Sequence, residues 1–173
     1  MSNFRRHGGL IIFLGLLWLS PLRAEPLVDD PGRFAVDMPQ PVKRDTSEIN
    51  SGLGKGIMHL FSNDGPNSTA YILSYNDYPA GSIAKLDREK VYGDIIKGVV
   101  DSLKGVVRSN VAHKLGDAAG HEYILVNEKD KFVSRTRCYF VGDRLYQIMY
   151  LGPIGTENSK EALRFLDSFR LLR

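Results

Sequence analysis

Cys138 is the only cysteine of the chain and lies in RTRCYFVGDRLYQIMY, Arg135 to Tyr150. A thiol set among histidines at the right spacing can hold a metal ion or act as a nucleophile. Hairpin registers give that spacing. A two-residue turn at Gly142-Asp143 sets Val141 opposite Arg144, and so Cys138 opposite Gln147. A symmetric turn about Lys129-Asp130 sets Cys138 opposite His121, and a loop centred on Asp117 sets His121 opposite His113. On these registers His113, His121, Cys138 and Gln147 form one row across four strands. Neighbouring strands lie ~4.8 Å apart, so His113, His121 and Cys138 could share a zinc or copper ion. His59 would be a fourth ligand only by an accident of folding. The competing reading is a row covered by a helix, with Cys138 a small buried hydrophobe and the histidines simply hydrogen-bonded. Packing is preferred, because the metal needs three registers to hold at once. A Cys–His nucleophile lacks an orienting third group and an oxyanion donor. No cofactor is expected.

The same registers collect Glu122, Arg135, Arg137, Tyr139, Arg144, Tyr146 and Tyr150 on the opposite face. Glu122 falls opposite Arg137, which predicts a cross-strand ion pair. Left open near a sheet edge, such an arginine–tyrosine surface suits an interface or an anionic small molecule. The alternative, which is preferred, lays arginine stems over tyrosine rings to shield a half-buried sheet.

Motifs of catalysis are missing. HEYIL, His121 to Leu125, begins like the H-E-x-x-H zinc motif but ends in leucine and reads as a strand. GLGKG, Gly52 to Gly56, lacks the first glycine of a phosphate loop and the hydroxyl after lysine. It reads better as a loop feeding the strand that follows Lys55. No G-x-S-x-G elbow occurs. The chain is therefore not expected to be an enzyme.

The elements that must position these residues alternate in period. RFAVDMP is a short strand closed by Pro39 and Pro41. KGIMHLFS and TAYILSYNDY are strand-like runs joined through NDGPNS, a hairpin connection. Asn67-Ser68-Thr69 has the form of a glycosylation sequon but fits a turn better. From Ser82 to Lys104 the apolar residues recur at helical spacing, with Ser82 placed as N-cap and Gly105 as the C′ residue. Gly93 and Gly98 inside that helix make sense if its backbone lies close to a sheet. VVRSNVAHKL, HEYILVNE, KFVSRTRCYFV and RLYQIMYLG then form a four-stranded antiparallel meander, apolar on both faces and so covered on both. NSKEALRFLDSFRLL closes the chain as a helix with Asn158 and Glu161 spaced as a capping box. Its apolar stripe is Ala162, Phe165, Leu166 and Phe169. The expected class is α+β, one antiparallel sheet sandwiched between helices.

The first 24 residues have the pattern of an export signal. Arg5-Arg6 is a positive start, Gly9 to Ser20 an apolar core and Ala24 a small residue at a cleavage position. The apolar run is too short to span a bilayer, for which ~20 residues are needed. The twin-arginine route is disfavoured by His7-Gly8-Gly9. Stable membrane insertion is not expected once the signal is cleaved, although retention as an anchor is the alternative. The formal net charge is +3, and Arg5, Arg6 and Arg23 account for all of it. A neutral mature chain argues against nucleic acid as a partner. Residues 25–31 form a polar leader and 32–173 one domain without a disulfide.

GRFAVDMPQPVKRD, the helix before the meander, LGDAAGHEYIL, SRTRCYFVGDRLYQIMYLGP and RFLDSFRL, in that order, resemble small exported bacterial PsbP-like domains. That family shares its fold with PsbP, the extrinsic protein of photosystem II, and with a yeast Ran-binding protein. The resemblance covers nearly all of the mature chain. It implies an α/β/α sandwich and a history of binding rather than catalysis, but no site residue carries over and a fold does not transfer a function. The expected role is an exported, periplasmic or secreted, non-enzymatic binding domain for a protein partner or envelope component. The alternative is a carrier of a small ligand or metal.

Overall fold

The computed structural model describes residues 26–51 and 54–173. The segment read as an export signal and Gly52-Leu53 of the glycine-rich stretch lie outside these. In chain order the elements are β1 (Leu27–Asp29), β2 (Phe34–Val36), β3 (Lys43–Ser51), β4 (Gly54–Asp64), β5 (Ala70–Asp77), α1 (Arg88–Leu103), β6 (Val106–Leu115), β7 (Ala118–Asn127), β8 (Phe132–Val141), β9 (Arg144–Pro153), α2 (Lys160–Ser168) and β10 (Arg170–Leu171).

A seven-stranded antiparallel sheet in the order β3-β4-β5-β9-β8-β7-β6 carries the meander and the β4–β5 hairpin. Asn67 and Ser68 make the tight turn of that hairpin with φ of 56° and 58°, which supports the turn reading of the sequon. Strand β3 was not expected. Its sequence, KRDTSEINS, has no apolar alternation, because as an edge strand it is largely exposed.

The expectation of one sheet sandwiched between helices is overturned. The chain is mostly strand and forms two antiparallel sheets, the second being β1-β2-β10. One face of the large sheet is covered by this small sheet together with α2, and only the other by α1. Phe61, Tyr71, Leu73, Tyr75, Tyr139, Tyr146, Ile148 and Tyr150 meet Phe34, Val36 and Met38 from the small-sheet side and Phe165, Leu166 and Phe169 from the α2 side. Strands of two or three residues carry too little periodicity to be read from sequence. Strand β1 lies in the segment read as a polar leader, where Leu27 and Asp29 are in fact buried.

On the second face Val91, Tyr92 and Ile96 of α1 pack on Tyr123, Leu125, Cys138, Phe140 and Leu145. The helix begins later than its apolar spacing predicts. Asp87, not Ser82, is the N-cap, accepting from the Glu89 and Lys90 amides at 3.1 and 3.3 Å. Residues from Ser82 to Leu86 form turns instead, tied at Gly81 and Ile83 to the Asp143 carboxylate at 2.8 and 3.0 Å. At the other end Lys104, not Gly105, takes the left-handed conformation (φ 52°), and Gly105 N–H reaches the Val100 carbonyl at 3.3 Å. Gly93 and Gly98 face open space, so close packing on a sheet does not explain them. The cap of α2 is Ser159, which accepts from Ala162 N–H at 3.1 Å, one residue beyond the expected Asn158.

Candidate functional site

Two of the three inferred registers hold. Cys138 lies opposite Gln147 on β9 and opposite His121 on β7. The third slips by one residue. The β6–β7 connection is a two-residue turn at Gly116-Asp117, so His121 faces Ala112 while His113 faces Gly120. A one-residue slip moves a side chain to the other face. His113 accordingly joins the tyrosine side, its Nδ1 2.8 Å from the Tyr139 hydroxyl, and the row of His113, His121 and Cys138 does not assemble. Nδ1 of His121 lies 2.9 Å from Asn110 Oδ1, and its Nε2 lies 3.2 Å from Glu89. His59 stacks on Tyr75 with ring centroids 4.4 Å apart. Among the described residues no group of three or more His, Cys, Asp or Glu side chains is arranged to hold a metal.

Cys138 is fully buried beneath α1. Burial pushes its thiol up to about 12, only partly countered by a weak Sγ contact to the His121 carbonyl at 3.7 Å. A thiol held protonated in an apolar setting is a poor nucleophile and a poor ligand.

The arginine–tyrosine face forms as the registers require, but it is not a surface. Tyr139, Tyr146 and Tyr150 are no more than 2% exposed. Phe169 lies over the first two, its ring parallel to Tyr139 at 6.4 Å, while Tyr71 meets Tyr150 edge-on at 5.6 Å. The arginines are paired. Glu122 accepts from Arg135 Nη2 and from Arg137 Nε, each at 2.7 Å. Arg137 also reaches Asp167 of α2 at 2.7 Å. Burial alone would raise the Glu122 carboxyl, but the two guanidinium groups outweigh it and hold the acid below the usual carboxylate range. Arg144 forks onto Asp77 at 2.5 and 2.9 Å, donates to the Pro31 carbonyl and lies 4.5 Å over the Tyr75 ring. This face therefore fastens the small sheet and α2 to the large sheet. Asp77 and Asp167 were missed from sequence, because neither spacing nor turn chemistry announces a carboxylate that arrives from another element.

What remains accessible is an edge. Strand β6 ends the large sheet, and among the described residues no strand pairs with its outer side. Its burial pattern is mostly exposed, with Val106 at 72% and Val111 at 53%. The opposite edge, β3, differs. It bears exposed Lys43, Arg44, Asp45 and Glu48, a charged pattern that discourages strand addition. Strand β6 holds Arg108, His113 and Lys114 and no acid. A bulge between Val107 and Ser109 turns Arg108 toward Glu157, which pairs with it.

An antiparallel sheet with a small second sheet and α2 on one face and a single long helix on the other defines the class of fold. No family model and no curated protein matches the chain. Among solved structures it is similar to that of cyanobacterial PsbP (CyanoP) from Synechocystis sp. PCC 6803. The TM-score is 0.59 at 11% identity, over 91% of this chain and 98% of that one. The fold is PsbP-like. At this identity the likeness speaks for fold alone.

Proposed function

We propose that this chain is an exported, non-catalytic accessory domain that binds an extended segment of a protein partner along β6. The observation that carries the reading is the contrast between the two edges of one sheet. The β3 edge is guarded by charges of both signs, whereas β6 presents exposed valines and a backbone that is unpaired among the described residues. An added strand would satisfy that backbone and cover Val106, Val107 and Val111. The occupant is expected to place an acidic residue near Lys114, the exposed β6 cation that no carboxylate among the described residues answers, Arg108 being paired with Glu157. A second copy fits less well, because symmetric pairing about Val111 would bring Arg108 opposite Lys114.

Support for a non-catalytic role comes from the chemistry of the groups present. The lone thiol is buried and protonated, and Arg135, Arg137 and Arg144 of the tyrosine face are committed to Glu122, Asp167 and Asp77 within the fold. Export rests on the leader pattern, and among the described residues no helix is long and apolar enough to cross a membrane. The test is hydrogen exchange on the purified protein with and without solubilised envelope proteins of its own cells. Slowed exchange confined to residues 106–115, and lost in Val111→Glu, is the expected result. Protection elsewhere, or protection that survives the substitution, would remove β6 from the account.

A further inference from the structure

A second feature lies away from β6, where the start of β9 meets β2 and the chain's last residues. A cleft of about 360 Å³ opens there, bordered by Arg33, Arg144 and Arg173 and walled by Val141, Leu171 and Leu172, with the buried Tyr146 beneath. No acidic residue lines it. Three arginines around an apolar floor form an unusual border, because like charges gathered at one mouth repel unless something answers them.

The fold brings them together by backbone bonds rather than by charge. Arg33 sits at the turn into β2 with φ 52°, and its carbonyl accepts the Leu172 N–H at 2.8 Å. That bond and the pairing of Leu171 with Phe34 lay the final residues beside Arg33. Arg144 is already matched by Asp77, which fixes its guanidinium at the rim. Arg33 and Arg173 are exposed, and among the described residues neither pairs with a carboxylate. Among the side chains that border the mouth, the unmatched positive charges are theirs. Tyr146 is fixed beneath the cleft, its hydroxyl donating to the Gly32 carbonyl at 2.7 Å.

We propose that this cleft binds an amphiphilic anion, a phosphate or similar head group carrying an apolar chain. The head would take charge-assisted hydrogen bonds from Arg33 and Arg173, and the chain would lie on Val141, Leu171 and Leu172. Neither part suffices alone. A bare anion leaves the floor wet, and a neutral alkyl group leaves the arginines unanswered. The same chemistry is offered by a soluble amphiphile and by an anionic lipid in a bilayer. The site is independent of β6, from which β9 is separated by β8 and β7.

Calorimetric titration of the whole protein with monomeric octyl phosphate, inorganic phosphate and octanol tests it, beside sedimentation with phosphatidylcholine vesicles with and without phosphatidylglycerol. Arg33 and Arg173 are exposed, so the double variant R33E/R173E is expected to fold normally, as circular dichroism will check. Octyl phosphate should bind one to one, at least roughly tenfold more tightly than either fragment, and the double variant should lose at least roughly tenfold. Binding confined to phosphatidylglycerol vesicles and lost in the variant would support the site with a lipid as its source. Inorganic phosphate binding as well as octyl phosphate, equal binding by the folded variant, or no binding to any probe would overturn the proposal.

Discussion

Glu122 and Arg137 face each other across β7 and β8, with Arg137 Nε 2.7 Å from one carboxylate oxygen while Arg135 holds the other. All three side chains are at most 15% exposed, so removing the acid would leave two guanidinium groups with reduced compensation in a dry setting. Glu122→Gln is expected to cost about 3 kcal/mol, the lower end for breaking a buried pair, because Asp167 still answers Arg137. The sign with pH follows from the depressed carboxyl. The unfolded chain binds the proton more readily, so the stability from this group is complete above ~4.3 and disappears as pH falls through the lower folded value. Urea unfolding at neutral pH and through the acid range checks both parts. A variant within ~0.5 kcal/mol of wild type, with an unchanged acid slope, would contradict the pairing.

That pair was legible in the sequence because turn chemistry at Lys129-Asp130 sets the β7–β8 register, and register sets which side chains meet. The failures have a common cause. His113 was misplaced because GDAAG allows a two-residue turn as well as a loop centred on Asp117, and one residue decides the face. The tyrosine face was seen as a set, but what covers it was not. Strands β1 and β10 are too short to show a period, and β3 is too polar to show one. The edge role of β6 is a property of the strand order, which no local pattern carries. The cleft at Arg33 and Arg173 joins segments from the two ends of the described chain, so spacing could not reveal it.

The slip in register has its own test at Gly120. It lies between His113 on β6 and Tyr139 on β8, and the bond from Tyr139 to His113 passes over it. A Cβ there would press on the Cys138 carbonyl oxygen and come 2.5 Å from Tyr139 Cδ1. A backbone atom of a central strand cannot move aside as a side-chain tip can. Gly120→Ala is therefore expected to destabilise by about 3 kcal/mol, the upper part of the range for overpacking. A chemical-denaturation midpoint close to that of wild type would mean that the strands have room the structure does not show.

His113 adds a pH dependence at a higher range than Glu122. Burial lowers its ring first and the Arg137 charge adds to this, against smaller opposing effects of Glu122 and Asp167; Arg135 also lowers it. Because the folded value lies below the unfolded one near ~6.5, the unfolded chain takes the proton first. The contribution is complete above that pH and is lost as pH falls through the folded value. His113→Gln should flatten the urea midpoint between neutral and mildly acidic pH while leaving the acid loss due to Glu122 in place. An unchanged slope in the variant would show that His113 does not titrate as a buried ring.

The thiol gives the sharpest test of whether the lone cysteine is chemistry or packing. Cys138 is 0% exposed and sits with Tyr92, Tyr123, Phe140 and Leu145 beneath α1, so a reagent reaches it only when the helix lifts. Tyr92 opposes that motion. Its hydroxyl donates to the Ala119 carbonyl at 2.9 Å and accepts the Phe140 amide at 3.1 Å, pinning α1 to β7 and β8. A disulfide reagent should therefore leave the native protein untouched under conditions where the urea-unfolded chain reacts at once. Tyr92→Phe should speed native labelling by removing the pin. Cys138→Ser should cost about 1–3 kcal/mol, the price of a hydroxyl in an apolar site with only a strand carbonyl nearby, and should leave zinc affinity unaltered. Native labelling as fast as that of the unfolded chain would mean that the α1 face is open in solution and that Cys138 is available for chemistry after all.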